Sequence, residues 1–313
     1  HRNAPTLHSA THICVGLTAF QSHMGCMWDA TEVLLKASIT ARDHFISEVW
    51  IEAYQRSMVC FPRLHVIADN ASVISHMYER VPNTTVYQSS YPPPLETAGT
   101  SKIGAGYWQM QWFIMWADNY TVAPHVLFFD TDSVLTAPLR CHHLFNEQEV
   151  PLWYTWQWAS GPPWLKSTNE VLENNGHHLG ELTRRNFMTF FPVTVPRAVL
   201  PVARQLAINA LKTNTFDEAW ARIAMPSHVD LLGKVASALL PSSIDVIHCP
   251  AVGRINQLIS DRVAAKQVSN RCFDFISITE HIKHPIRDCH TGNCHHLSRA
   301  SSHQYWKSLR RHL

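Results

Sequence analysis

The sequence lacks long apolar runs, and charged residues and glycine are scarce in it. Of its 313 residues, 16% are charged, 46% are hydrophobic and 11 are glycine. Disordered chains and coiled coils carry more charge, and collagen has glycine at every third position, so the composition excludes all three. No stretch of 18 apolar residues occurs, and no segment is therefore predicted to cross a membrane. Any membrane attachment would need a leader or anchor that is absent from this chain.

Basic residues are too few to predict nucleic-acid binding. The net charge is +2 at pH 7 and the isoelectric point is about 8.2, whereas nucleic-acid-binding surfaces usually need a clustered excess of Lys and Arg. We therefore predict no nucleic-acid partner. A chain of this length can bury the core of one large domain or of two small ones.

Cysteine residues and glycosylation sequons favour the secretory pathway. The 8 cysteines are an even number and are compatible with a set of disulfide bonds, although the sequence does not determine their connectivity. Asn-X-Ser/Thr sequons begin at Asn70, Asn83 and Asn119, and such triplets are acceptors for N-linked glycans. The first residue is His1, which indicates a processed or truncated chain. Together these features predict a location in the ER or Golgi lumen, as the soluble part of an anchored protein.

Short apolar runs alternate with helical patterns over the first 130 residues. The predicted strands and helices of this half are residues 11–20 (strand), 30–46 (helix), 64–69 (strand), 74–81 (helix), 103–119 (helix) and 125–130 (strand). This alternation predicts an α/β fold in which a mostly parallel sheet is flanked by helices. The second half is less regular, and its predicted elements are β-rich runs at 187–195 and 244–248 and helices at 196–211 and 216–240.

Two carboxylates follow the most hydrophobic of these strands. Asp130 and Asp132 come after the run Val126-Leu-Phe-Phe, and residues i and i+2 of an extended chain point the same way. They can therefore address one ligand beyond the C-terminal edge of the sheet, where ligands of open α/β sheets bind. Such a pair of carboxylates suits Mg²⁺ or Mn²⁺, which can neutralise a departing pyrophosphate. The alternative is a solvated turn in which each acid caps a loop.

Two enzyme classes have an apolar strand that ends in Asp-X-Asp. In the haloacid-dehalogenase phosphatases the motif lies on the first strand, and a later acidic pair is required. Here it lies on the third predicted strand, and no Asp-Asp or Gly-Asp pair follows it, so a phosphatase is the weaker alternative. The other class is the glycogenin-like and galactosyltransferase-like glycosyltransferases of the GT-A fold. The chain resembles the first half of these enzymes in the order of its elements, which is a strand, a helix, Leu64-His-Val-Ile-Ala-Asp69, Ser101-Lys102 and the acidic motif.

This resemblance covers residues 10–140 and implies a nucleotide-sugar site. It implies one GT-A domain with a nucleotide-sugar-binding half at 10–140, an irregular acceptor-side half at 141–285 and a Cys/His-rich tail at 286–313. In that tail the spacing of Cys289 and Cys294 matches no common zinc module, so a disulfide clip is favoured over a zinc site. In such enzymes the acidic pair holds Mn²⁺ or Mg²⁺ on the diphosphate of a UDP-sugar. Carried over by position, the implied site comprises Thr18, Ala19 and Phe20 at the base, Asp69 and Lys102 near the ribose and the sugar phosphate, and Asp130, Thr131 and Asp132 at the metal.

The same family completes its metal site with a histidine near the end of the core. The nearest match follows a β-rich run and contains His281 and His284, where Lys283 and Pro285 partly match the family's ending. The alternative is His248, which also follows a predicted strand. The resemblance therefore implies His281 or His284 as a third metal ligand.

Acceptor and catalytic residues complete the prediction. Trp156 and Trp158 lie where GT-A enzymes place acceptor contacts and could stack on a sugar, although core packing is an equal alternative. Asp217 and Asp230 are candidates to deprotonate the acceptor, or to lie beneath the sugar if configuration is retained. The resemblance favours retention. The sequence thus predicts a metal-dependent transferase that moves a sugar from a UDP-sugar to a glycan or protein acceptor, and the alternative is an inactive relative that only binds carbohydrate or nucleotide.

Overall fold

The computed structural model describes residues 30–37, 41–58, 62–99, 104–131, 133–135, 137–157, 162–188, 191–249 and 279–281. Several sequence predictions lie outside these residues. They are the strand at 11–20, the Cys/His-rich tail at 286–313 and the candidate site residues Thr18, Ala19, Phe20, Lys102, Asp132, Trp158 and His284.

The described strands form a five-stranded sheet, a three-stranded sheet and a two-stranded pair. They are β1 (Thr31–Ala37), β2 (Leu64–Ala68), β3 (Thr84–Gln88), β4 (His125–Phe129), β5 (Ser133–Leu135), β6 (Leu152–Gln157), β7 (Arg185–Asn186), β8 (Val193–Pro196), β9 (Asp245–Cys249) and β10 (Thr279–His281). The largest sheet has the order β3-β2-β1-β4-β8, in which only β8 runs antiparallel to its neighbour. The other two have the orders β7-β6-β9 and β10-β5.

Helices cover both faces of the largest sheet. They are α1 (Ala41–Ser57), α2 (Ala71–Tyr78), α3 (Pro93–Glu96), α4 (Ala105–Met115), α5 (Cys141–Leu144), α6 (Pro163–Glu173), α7 (Val199–Leu211), α8 (Phe216–Arg222) and α9 (His228–Leu239). A mixed sheet of mostly parallel strands flanked by helices confirms the predicted α/β class. Among the described residues, no helix combines the length and the apolar character needed to span a bilayer.

Strand β1 corrects the prediction for residues 30–46. That segment is predicted to be one helix, but Thr31–Ala37 is a strand and the helix begins only at Ala41. Strand β1 lies between β2 and β4, and its side chains belong to the cores on both faces of the sheet. A parallel strand buried on both faces has a nearly continuous apolar run, which short-range periodicity does not distinguish from a buried helix.

Side chains of the central strands alternate between two cores. Leu34, Ile67 and Phe128 belong to the core that also contains Trp108 of α4. Leu35 and its neighbours on the opposite face belong to the core that α1 and α2 cover. This period of two is the usual geometry of a strand. It also decides which side chains share a face where the strands end.

The structure differs from the predicted elements in three further places. Strand β3 is not predicted, because its side chains are only partly buried at the border of the sheet. The helix predicted over 216–240 is two helices, α8 and α9, separated by a segment that contains Pro226, and proline interrupts helices because it has no backbone N–H. The β-rich run at 187–195 contributes a strand only from Val193.

Candidate functional site

The C-terminal ends of β1, β2, β3 and β4 meet at one edge of the five-stranded sheet, because these strands are parallel. We call it the C-terminal edge. Polar side chains stand at or just after the strand ends: Lys36 in β1, Asp69 after β2, Ser89 after β3 and Asp130 after β4. Ligands of open parallel sheets bind at this edge, so these residues define the candidate site.

Three of these side chains belong to the same face of the sheet. Lys36, Asp69 and Asp130 each lie two residues after a member of the core that contains α4. Since strand side chains alternate, continuation of the extended backbone directs all three toward the face that α4 covers. The register agrees, because Phe129 pairs with Leu35 and the next residues along the two strands are Asp130 and Lys36.

Lys36 and Asp69 form an ion pair at this edge. Their side chains are 8% and 31% exposed, respectively. The Tyr91 hydroxyl donates a hydrogen bond to Oδ1 of Asp69 at 2.6 Å, and the Ser89 hydroxyl donates to the same oxygen at 3.2 Å. The Nζ atom of Lys36 also lies 5.9 Å from the centre of the Tyr91 ring and 5.6 Å from that of Phe113, within the range of cation–π attraction. Lys36, Asp69, Ser89 and Tyr91 are called the Lys36 cluster below.

The Lys36 cluster fixes the protonation of its acid and its phenol. Burial by itself would raise the pKa of Asp69, but hydrogen bonds from Lys36 and Tyr91 outweigh that effect and hold the pKa below its ordinary value. Burial and the neighbouring Asp69 carboxylate raise the pKa of Tyr91. At neutral pH the cluster therefore combines a carboxylate with a phenol that keeps its proton, beside the ammonium group of Lys36.

Asp130 is half-buried where β4 ends, and Thr131 follows it. The backbone turns immediately afterwards, with the Ser133 amide donating to the Asp130 carbonyl at 3.1 Å. The Asp130 carboxylate offers the hard oxygen ligands that Mg²⁺ and Mn²⁺ prefer. In the part of the chain that the structure describes, no cluster of three or more His, Cys, Asp or Glu side chains forms a complete metal site. Asp130 therefore fits as one ligand of a divalent ion, and the predicted second ligand, Asp132, lies outside the described residues.

Strand β10 brings His281 beside the acidic motif. In the antiparallel pair of β5 and β10, His281 is opposite Ser133, the residue that follows Asp132. The competing candidate, His248, is in β9 of another sheet, opposite Thr155. Its imidazole lies against the guanidinium group of Arg185, a cationic neighbour that disfavours metal binding. Of these two histidines, His281 alone is aligned with the motif.

The two candidate catalytic acids are each engaged elsewhere. The Asp217 carboxylate, in the first turn of α8, accepts a hydrogen bond from the Trp112 indole at 2.7 Å. Asp230 is completely buried in α9, where its Oδ2 lies 3.3 Å from Nζ of the equally buried Lys234. The Phe187 amide donates to Oδ1 of Asp230 at 2.9 Å. Neither acid has a hydrogen bond or ion pair with the Lys36 cluster among the described residues, and their catalytic roles stay predictions.

The pKa values of the buried pair in α9 follow from desolvation. Burial raises the pKa of Asp230 even though Lys234 opposes the shift, and burial lowers the pKa of Lys234 against the attraction of Asp230. Nζ of Lys234 also donates to the Asn169 side chain at 2.5 Å. These contacts join α9 to α6 and to the segment after β7, which is a structural role.

Trp156 lies in the interior rather than on an open surface. It is 7% exposed and is paired in register with Asn186 and Cys249 in the three-stranded sheet. This position fits the core-packing alternative that the sequence leaves open. A contact with an acceptor sugar stays a prediction for it.

Sequence reasoning missed Lys36, Ser89 and Tyr91. Lys36 carries the same signal that identified Asp69 and Asp130, namely a charged residue where an apolar run ends. That signal was hidden because residues 30–46 have the composition of a helix. Ser89 follows a strand that the sequence pattern does not predict, and Tyr91 opens a proline-rich loop.

No protein-family model matches this sequence, and no curated protein is significantly similar to it.

Proposed function

We propose that this protein is a metal-dependent glycosyltransferase of the GT-A type that moves a sugar from a UDP-sugar to a glycan or glycoprotein acceptor. The observation that carries the proposal is the convergence of Asp130 with the Lys36 cluster on one face of the C-terminal edge. A nucleotide-sugar needs both kinds of group, because its diphosphate is anionic and its ribose carries hydroxyls. In the backbone register His281 is opposite Ser133 and therefore next to the same motif.

Each group has a role that follows from its chemistry. Asp130, together with Asp132 and His281, would hold Mn²⁺ or Mg²⁺, and a bound cation would stabilise charge on the departing diphosphate. The Lys36 ammonium group supplies a fixed positive charge beside the site, held in place by Asp69 and two aromatic rings. The Asp69 carboxylate can accept hydrogen bonds from ribose hydroxyls, as acidic residues at this edge do in other nucleotide-binding sheets.

Retention of configuration is the proposed stereochemistry. An inverting enzyme needs a side chain that accepts the acceptor's proton. The candidates Asp217 and Asp230 are engaged by Trp112 and by Lys234, respectively. A retaining enzyme can use the leaving phosphate as its base, which removes the need for either acid. The same engagement also supports the second candidate function, a protein that binds a nucleotide-sugar without turnover.

The proposed location is the lumen of the ER or Golgi. We infer that Cys141 and Cys249, the cysteines within the described residues, are half-cystines, and disulfide bonds persist in oxidising compartments. Peptide mapping without reduction tests this assignment. Recovery of both cysteines as free thiols from the native protein would oppose it.

Thermal unfolding with nucleotides tests the proposed function. UDP, GDP and CMP are added separately, with and without Mn²⁺, because a ligand that binds only the folded state raises the melting temperature. We expect a rise that requires both UDP and Mn²⁺, of roughly 4 °C at a hundredfold excess over Kd. Asp130→Asn should abolish it, whereas Asp245→Asn, in β9 of another sheet, should not. No rise with any nucleotide would refute the assignment.

Release of UDP from UDP-sugars separates the enzyme from the binding protein. A transferase should hydrolyse its own donor slowly or transfer the sugar to an added glycan, and Asp130→Asn should abolish this turnover. A thermal shift without UDP release from any UDP-sugar, with or without glycan acceptors, would favour the binding protein.

Alanine variants of His281 and His248 provide a test and a matched control for the metal site. His281→Ala should lower the apparent affinity for Mn²⁺ at least tenfold, roughly the loss seen when groups that support a metal site are removed. His248→Ala should leave it unchanged, because that imidazole lies against Arg185 in another sheet. Equal effects of the two variants on a Mn²⁺ titration would remove His281 from the proposed site.

A further inference from the structure

The sequons are distributed unequally between the N-terminal and the C-terminal ends of the parallel strands in the large sheet. Asn83 directly precedes β3, and Asn119 ends a 3₁₀ helix in the segment that leads into β4. Both therefore belong to the N-terminal ends of parallel strands. Asn70 directly follows Asp69, at the C-terminal edge. Two sequons are thus on the side of the sheet opposite the candidate site, and one adjoins the site.

The two asparagines on the N-terminal side are exposed. Asn83 has a φ angle of 57°, a left-handed turn conformation that asparagine adopts more readily than most residues. Its carbonyl accepts a hydrogen bond from the Leu64 amide at 3.1 Å, so the backbone is fixed while the side chain is exposed. Thr85, which completes this sequon, is exposed as well. A bulky group can be attached at either asparagine without displacing the core.

Asn70 differs from them because its side chain is half-buried and holds the start of α2. Its Oδ1 accepts a hydrogen bond from the Ser72 hydroxyl at 2.6 Å and one from the Val73 amide at 3.4 Å. These contacts cap the helix. A glycan on the same side chain would also stand next to Asp69 and would cover the Lys36 cluster.

We propose that Asn83 and Asn119 carry N-linked glycans and that Asn70 does not, so that the glycans lie away from the C-terminal edge. The inference rests on the location that is part of the proposed function. In the modification, Nδ2 of the asparagine forms a bond to the anomeric carbon of an oligosaccharide and loses a proton. The bond from that carbon to a lipid diphosphate breaks, and the lipid diphosphate leaves.

Site mapping tests the proposal. The chain is produced behind a secretion leader in a eukaryotic cell line, and both the secreted and the membrane-enclosed pools are collected. Peptide N-glycosidase in ¹⁸O-labelled water converts each glycosylated asparagine to labelled aspartate. We expect the label at Asn83 and Asn119 and not at Asn70. Absence of label from both pools, or label at Asn70, would overturn the proposal.

Single variants give a second measurement. Asn83→Gln and Asn119→Gln should each remove the mass of one glycan, and Asn70→Gln should remove none. Thr85→Ala removes the same sequon as Asn83→Gln from an exposed position and should give the same loss, which guards against a folding defect. Failure of this proposal and failure of the transferase are separate results, because nucleotide binding is measured independently on glycosylated and deglycosylated chains.

Discussion

Replacing Lys36 by Met tests whether the ion pair with Asp69 organises the C-terminal edge. Methionine keeps most of the apolar stem that packs near Tyr91 and Phe113, and it removes the charge. Removal of one partner from a fully buried pair costs about 3–5 kcal/mol, and exposed pairs contribute about 0–1 kcal/mol. With side chains 8% and 31% exposed, this pair lies between the two limits. We expect a loss of about 2 kcal/mol in the free energy of unfolding.

The effect should depend on pH in a defined direction. Because the pKa of Asp69 is lower in the folded state than in the unfolded chain, the stabilisation is present above the unfolded pKa of about 3.9 and is lost as the pH falls through the folded pKa. The difference between the wild type and Lys36→Met should therefore be constant from about pH 5 to pH 8. It should shrink below about pH 4, as the Asp69 carboxylate takes up a proton.

Thermal unfolding at a series of pH values measures this difference. From the entropy of unfolding per residue, a chain of this size loses about 1.5 °C per kcal/mol, so the expected decrease in Tm at pH 7 is about 3 °C. The matched control is Lys166→Met, which removes a lysine whose ion pair with Glu170 has a distance of 3.7 Å and side chains 83% and 53% exposed. That variant should lose less than about 0.5 kcal/mol. Equal melting temperatures of the two variants at pH 7, or a difference that grows toward pH 4, would refute the reasoning.

Two further predictions concern α9. Asp230→Ala leaves the buried Lys234 ammonium group without its carboxylate partner and should lower the free energy of unfolding by about 3–5 kcal/mol. Adding Lys234→Met should restore part of this loss. Equal melting temperatures of the single and double variants would contradict the pairing. Gly233→Ala would place a Cβ atom in steric overlap with the Phe187 ring. Chemical denaturation should therefore show a loss of about 1–3 kcal/mol from overpacking, in spite of alanine's higher helix propensity. A stabilised variant would show that the ring can move aside.

The sequence predicted those parts of the site whose signal is local. Asp69 and Asp130 were recognised because each ends an apolar run, and the C-terminal edge follows from the parallel sheet. Lys36 ends such a run as well, but a strand covered on both faces has no polar alternation, so its residues resemble those of a buried helix. The position of His281 beside Ser133 depends on pairing between distant segments, which no local pattern encodes. The engagement of Asp230 by Lys234 likewise depends on the depth at which α9 is buried.

Strand β3 has a consequence for self-association. Among the strands that the structure describes, it has a neighbour on one side only, β2. Unpaired backbone groups along such a border can accept a strand from a second molecule, and natural proteins obstruct this with proline or with bulky or charged groups. Pro82 stands just before β3, and Asn83, the next residue, is exposed. A sugar chain at Asn83 would add a hydrated obstacle at the start of this border, so the Asn83→Gln chain should form dimers or aggregates at lower concentration than the Asn119→Gln chain.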